Sequence, residues 1–306
     1  MRLILTLKSL KDIDRNQFEK DWRLAFNSFL YELLKNSQIE FVKKLHNEFV
    51  SPFCFGNVKG NFRKSKDLIK QPEYLVKLPY KEEREWIKEN RYQVIVSTSN
   101  SDVAMALTLG LADIFRSEKY IELKEAQFLL EGVSSLSIEL KPNDLIVTDN
   151  IVVLKENIKD SKDKKKNLLN SNFILYKDSE KHPDKKHNCI VDKELFIKTL
   201  QSDIVRKANI CGFDKEQTKD LFDYTELDFD YFKKPNPETG KIKETKQTIP
   251  IFKLKDNDKY YYATGNKIAF RIKENIPQDK LQMLNKVFDT GLGSHCSFGF
   301  GFLMKK

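Results

Sequence analysis

The chain opens on a strand-length apolar run, RLILTL (2 to 7), followed by a polar turn at KDIDRN. Beyond it Phe18, Trp22, Ala25, Phe26, Phe29, Leu30, Leu33 and Leu34 recur at steps of three and four. That spacing predicts an amphipathic helix with Asn16 as its cap. A second helical stretch, IEFVKKLHNEF (39 to 49), is halted at Ser51 and Pro52. FCFGNV (53 to 58), YLVKLPY (74 to 80) and YQVIVST (92 to 98) read as strands, with the basic loop GNFRKSKDLIKQP and the charged KEEREWIKEN between them. Ser101 then opens the helix DVAMALTLGLADIFR, and IELKEAQFLLEGV continues as one strand. Strand, helix, strand, strand, helix, strand is the order of the ferredoxin-like fold.

After Pro142 the pattern starts again. LIVTDNIVVLK (145 to 155) is strand-like and rich in β-branched residues, and Asp192 begins a helix through ELFIKTLQSDIVRKA that ends near Cys211 and Gly212. KQTIPIFKL and KYYYATGNKIAFRIK read as strands, Pro277 starts the helix QDKLQMLNKVFDTGLG, and CSFGFGFLMKK closes as a strand. The lysine-loaded polar stretch at about 155–190 reads as a mobile insertion. The expectation is an α+β protein of two tandem ferredoxin-like (βαββαβ) domains, residues 1–140 and 141–306.

Charge adds a class of partner. Lys and Arg outnumber Asp and Glu by 54 to 45, a net charge of +9, which favours a polyanion without specifying a fold. The 40% of hydrophobic residues, with 22 Phe, excludes disorder as the general state. No apolar run approaches the roughly eighteen residues that span a bilayer, and MRLILTLKSL is too short and too soon charged for a signal peptide. A cytoplasmic protein with no membrane partner is expected. Cys54, Cys189, Cys211 and Cys296 contain no CxxC pair, which argues against a disulfide framework and a structural zinc site. His182, His187 and Cys189 lie in a lysine-rich stretch with no second half, so neither metal nor cofactor is expected.

Four of the eleven glycines, Gly291, Gly293, Gly299 and Gly301, fall in GLGSHCSFGFGF (291 to 302). A dinucleotide-binding fingerprint needs its glycines between a strand and a following helix, whereas here the helix comes first. A P-loop needs Lys and then Ser or Thr after its last glycine, and Phe302 and Leu303 stand there instead. Two readings remain: amides that approach a phosphodiester backbone, or a helix stop leading into a closely packed last strand. In that strand Phe298, Phe300 and Phe302 would share one face.

A helix, a glycine loop of the form GxGxxxxxGxG and a terminal strand resemble the hallmark of the repeat-associated (RAMP) proteins of CRISPR systems. LYELLKNSQIEFVKKLHNEFVSPFCFGNVKG (30 to 60) is similar to the beginning of the Cas six family of CRISPR repeat endoribonucleases, where a Leu-His pair precedes a short aromatic strand. The resemblance implies two ferredoxin-like halves and metal-independent cleavage of precursor CRISPR RNA within its repeats. The products implied are 2′,3′-cyclic phosphate and 5′-hydroxyl ends. His46 matches the family's catalytic histidine, a side chain suited to proton transfer near neutral pH, and Tyr31 matches a tyrosine that some members place beside it. Read without the resemblance, His46 is a dipole partner at a helix end and Tyr31 a helix-face aromatic.

Some members add a lysine just after the histidine; Ser51 and Pro52 occupy that place, leaving Lys43, Lys44 or Lys59 as substitutes. The glycine loop is the implied RNA-backbone site. His295 inside it is a rival to His46 that could contact a phosphate or serve catalysis; the family's loop has no required histidine there, so RNA contact is the reading taken. The basic loop of Lys59, Arg63, Lys64, Lys66 and Lys70 would add phosphate contacts. Lys267, Arg271 and Lys273 alternate onto one face and would do likewise, although such charges are also ordinary solvated surface. CRISPR repeat RNA is the implied partner, with room for other effector subunits and for a homodimer. The alternative is a non-catalytic RAMP subunit that binds CRISPR RNA in an effector complex.

Overall fold

The computed structural model describes residues 1–11, 13, 18, 22–36, 51–60, 90–124, 126–155, 172–176, 189–233, 246–253 and 260–306. Its chain divides into two compact units, Met1–Ser137 with Pro250–Tyr261, and Ile138–Ile249 with Tyr262–Lys306.

The first unit is built on β1 (Arg2–Ser9), α1 (Trp22–Asn36), β2 (Cys54–Phe55), β3 (Lys59–Gly60), β4 (Arg91–Ser97), α2 (Ser101–Arg116), β5 (Tyr120–Leu123) and β6 (Ala126–Leu136). Strand alternation sends Leu3, Leu5 and Leu7 to one face, where they sit opposite Val96, Val94 and Tyr92 of β4. Helix periodicity sends Trp22, Phe26, Leu30, Leu33 and Leu34 of α1 and Val103, Ala106, Leu107 and Leu111 of α2 onto that same core. The helices meet closely at Gly110, where a Cβ would stand 3.1 Å from Leu33. β1 lies between β4 and β6, antiparallel to both, in the order β2–β4–β1–β6–β5, and β3 also pairs with β4. β6–β1–β4–β2 is the ferredoxin-like arrangement.

α2 opens at Ser101 as expected, capped by the side chain of Asn100, which accepts from the amides of Asp102 and Val103. One local reading changes in this unit. IELKEAQFLLEGV is a hairpin, β5 and β6, because Lys124 takes a left-handed φ of 60° and reverses the chain. The helix expected at 39–49, the strand at 74–80 and the Asn16 cap lie outside the described residues.

The second unit repeats the order with β7 (Leu145–Thr148), α3 (Lys193–Ile210), β11 (Thr225–Asp228), β14 (Ala269–Ile272), α5 (Gln278–Thr290) and β15 (Leu303–Lys305). The sheet runs β11–β14–β7–β15, all antiparallel. Ile146, Phe270, Ile272 and Leu303 from the sheet enclose a core with Phe196, Leu200 and Ile204 of α3 and Leu281, Leu284 and Phe288 of α5. Asp192 caps α3 by accepting from the Leu195 amide, and Gly212 at φ 92° follows its end. A single-turn helix α4 (Lys215–Thr218) precedes β11. The protein is therefore α+β, with two tandem ferredoxin-like units.

The extra material in the second unit corrects three readings. LIVTDNIVVLK is two strands, β7 and β8 (Leu154–Lys155), interrupted where the Asn150 side chain accepts from the Ile151 amide. The stretch read as a mobile insertion contributes buried structure: β9 (Phe173–Leu175) pairs with β8 and with β10 (Cys189–Val191). KYYYATGNKIAFRIK also divides, at Lys267 and Ile268, into β13 (Tyr260–Asn266) and β14, and β13 pairs with β12 (Lys246–Lys253).

The two faces of α2 give a direct check. Leu107 is fully buried and Leu109 is 59% exposed. Leu107→Ala should cost about 2–5 kcal/mol in urea unfolding, whereas Leu109→Ala should stay within about 0.5 kcal/mol of the wild type.

Candidate functional site

The glycine loop is assembled by α3. Two charged residues of that helix, Asp203 and Lys207, share its buried side with Leu200, Ile204 and Ala208. Asp203 accepts from the Arg206 guanidinium through Oδ1 and from the Gly293 amide through Oδ2, each at 2.5 Å. The Lys207 ammonium donates to Cys296 Sγ at 3.2 Å. Burial alone would depress that lysine, but the Cys296 sulfur and the Asp203 carboxylate outweigh it and hold the pKa above the usual value.

The loop itself leaves α5 at Gly291 (φ 73°), whose amide donates to Val287 O. Leu292 N donates to Gly301 O at 2.9 Å, Gly301 N to Ile151 O at 2.8 Å, Ser294 N to Val153 O at 2.7 Å and Gly299 N to Cys296 O at 2.8 Å. The amides of Gly291, Gly293, Gly299 and Gly301 thus all donate inside the protein. Phosphate-facing amides are one of the two roles open to this run from its sequence; the bonds realise the other, close packing.

The glycines are required by geometry. A Cβ on Gly301 would stand 1.8 Å from Leu292 O, and one on Gly293 2.6 Å from Val153 O, each at a positive φ. Gly299 and Gly301 also wind the chain left-handedly, so β15 begins only at Leu303 and the shared Phe face of an extended strand does not form. Phe300 and Phe302 are core residues, and Phe298 is half-buried with its ring 6.1 Å from that of His295.

His295 sits at φ 64° on the rim of this loop. It keeps some accessible surface, yet its imidazole is enclosed enough that burial first, and Lys155 second, push its pKa down to about 3. Lys155 lies 5.1 Å over the Phe173 ring, and burial lowers its pKa to about 8. Arg271 stands exposed on β14 and donates to Asn143 O at 2.9 Å. The structure therefore gathers the four glycines and His295 with Lys155, Asp203 and Lys207. These last three were not singled out from the sequence. Their legible signal is a charge at a core-facing step of α3, and a lysine closing a β-branched run.

In the first unit, Tyr31 is half-buried on α1 with its ring 5.2 Å from Phe53, immediately before β2. One turn back on the same strip, the side-chain oxygen of Asn27 is buried and has no hydrogen-bond partner among the described residues. Two turns back, Arg23 is buried against the Trp22 ring at 4.6 Å and donates to Asn57 Oδ1. Pro52 O accepts from Thr98 Oγ1 at 2.7 Å, which fixes the entry to β2. Lys59 is half-buried on β3, opposite Gln93. His46, Lys43, Lys44, Arg63 and Lys64 lie outside the described residues. Among the described residues no group of three His, Cys, Asp or Glu converges as metal ligands, and no helix is long and apolar enough to cross a membrane.

Residues 154–304, which contain the whole glycine loop and its α3 anchors, match the family model described as CRISPR associated protein Cas6, C-terminal. That stretch of the chain is therefore a Cas6-family C-terminal region. Solved structures with the same fold include a RAMP protein binding different RNA substrates (15% identity, TM-score 0.56, covering 100% of this chain and 99% of that one). A Cas6-related protein from Pyrococcus furiosus is similar at 17% identity and TM-score 0.56, covering 100% and 98%. A further CRISPR associated protein Cas6 shares 15% identity at TM-score 0.55, covering 100% and 99%. No curated protein sequence matches the chain.

Two outcomes follow for this Cas6-family loop. Gly301→Ala should destabilise by more than about 2 kcal/mol in chemical denaturation, whereas Gly132→Ala, with nothing within 4 Å of the new Cβ, should be nearly neutral. The pKa of His295 is depressed on folding, so the unfolded chain binds the proton first and the wild type loses stability as pH falls from 6.5 towards 3. His295→Asn tolerates the left-handed φ. Its stability relative to the wild type should therefore rise between about pH 7 and pH 4 and stay constant above about pH 7.

Proposed function

We propose that this protein is a metal-independent endoribonuclease that cleaves precursor CRISPR RNA within its repeats. The supporting observation is the Cas6 match over residues 154–304, which holds the glycine loop and its anchors Asp203 and Lys207; the backbone of 151–153, just before it, completes the closure. The substrate's 2′-oxygen attacks the adjacent phosphorus, the bond from phosphorus to O5′ breaks, and the products are a 2′,3′-cyclic phosphate and a 5′-hydroxyl. One proton leaves the 2′-hydroxyl and one reaches O5′, and His46 serves one of these two transfers. Tyr31 orients the substrate or assists that transfer.

His295 is the rival imidazole, and its lowered pKa suits it less to that transfer. General acid–base catalysis works best with a pKa near the operating pH, and His295 is held at about 3. In this reading His295 contacts RNA at the loop, and the glycines shape that loop instead of donating to phosphate. Lys59, Arg63, Lys64 and Arg271 supply phosphate contacts.

The test is incubation with repeat RNA in EDTA. The wild type should cleave, His46→Ala should lose at least about a hundredfold in rate, and Tyr31→Phe should be slowed while still folded by circular dichroism. Undiminished cleavage by His46→Ala would remove that residue from the chemistry. A wild type that binds the repeat without cutting it would favour the non-catalytic RAMP role.

A further inference from the structure

Immediately after β11 the chain makes a tight turn whose rings are set by a single carboxylate. Asp228 Oδ1 accepts from the amides of Asp230 at 3.0 Å and Tyr231 at 2.9 Å. That turn drives Phe229 onto Tyr176, with ring centres 4.0 Å apart, and leaves Tyr231 and Phe232 half-buried and edge to face at 4.9 Å. Tyr176 is held in turn by Asn266, whose buried amide accepts from Tyr176 N at 3.0 Å and donates to Tyr176 O at 2.9 Å.

Three ammonium groups converge on these rings. Lys193, exposed at the first turn of α3, lies 5.4 Å over Phe229 and 5.7 Å over Tyr176. Lys233 lies 5.7 Å over Tyr176, and Lys267 lies 5.7 Å over Phe232. Two carboxylates of the turn are committed: Asp228 to the turn amides and Asp230 to Lys233 at 2.9 Å. The cluster is also continuous with the glycine loop. Asn266 bridges to Val152, and Val153 next to it bridges to Ser294.

We propose that the Asp228–Lys233 turn, with Lys193 and Lys267, is a second contact surface for RNA, one that takes an unpaired stretch of the strand. The ligand class rests on the RNA reading above; the location and the preference for unpaired nucleotides come from the cluster. Half-exposed rings stack on bases of any identity, while ammonium groups meet the phosphates between them. A paired RNA helix keeps its base faces stacked and offers none to such a surface.

The experiment uses the full chain with two fluorescent probes, an unstructured oligouridylate and an RNA duplex of equal length, titrated at several salt concentrations. Tyr231→Ser with Phe232→Ser should weaken binding of the unpaired probe about tenfold and leave the duplex unchanged. Lys193→Gln with Lys267→Gln should lower the salt slope for the unpaired probe by roughly 0.7 for each phosphate no longer neutralised. Should the aromatic variant not fold, Lys193→Gln alone, at an exposed position, decides. Wild-type affinity and slope in folded variants would overturn this surface while leaving the RNA reading intact. A wild type that binds neither probe nor repeat RNA would overturn both.

Discussion

At Gly301 and Gly293 two stretches of backbone approach so closely that no side chain fits between them, and the architecture of the second unit is organised around that approach. Gly301 donates to Ile151 and accepts from Leu292, while Ser294 donates to Val153, so the loop clamps the segment that leaves β7. The same clamp presents Val152 to Asn266, and through Asn266 the pair Tyr176 and Phe229. Removing the clearance at one glycine would displace the β7 exit, the loop rim and His295 together.

The clamp is locked by charge in an otherwise apolar setting. Burying Asp203 and Lys207 costs desolvation, and buried charge is weak evidence for stability in itself. Its use here is positional: Asp203 takes the Gly293 amide of the loop, and Lys207 takes the Cys296 sulfur. Lys155 and His295 follow a different logic. With burial lowering both, the histidine stays neutral across ordinary pH, so the rim carries its charge on lysine alone.

The duplicated α+β order was legible because each long helix has an unambiguous stripe and each main strand an alternating or β-branched run. What was not legible turned on single residues in unusual conformations. Lys124 at φ 60° made two strands from one, and Gly299 and Gly301 cut the last strand to Leu303–Lys305. FILY (173 to 176) was hidden by the lysines around it, although four apolar residues are enough for a buried strand. For the site, the glycine cluster and His295 stood out by composition alone. Asp203 and Lys207 did not, because their meaning depends on which side of α3 faces the loop. Nor did Asn27 and Arg23, whose polar strip leads towards Tyr31 along the otherwise apolar buried side of α1.

The position of β7 has a consequence for how the protein is made. This strand is flanked by β14 on one side and β15 on the other, both of which follow it by more than a hundred residues in the chain. During synthesis β7 emerges with neither neighbour available, and its exit segment waits still longer for the clamp. The second unit is therefore completed late, when residues 291–305 have left the ribosome. Until β14 emerges an apolar strand stands with both edges unpaired, and one edge stays open until β15 follows, so its solubility in the cell depends on whatever shields those edges during that interval.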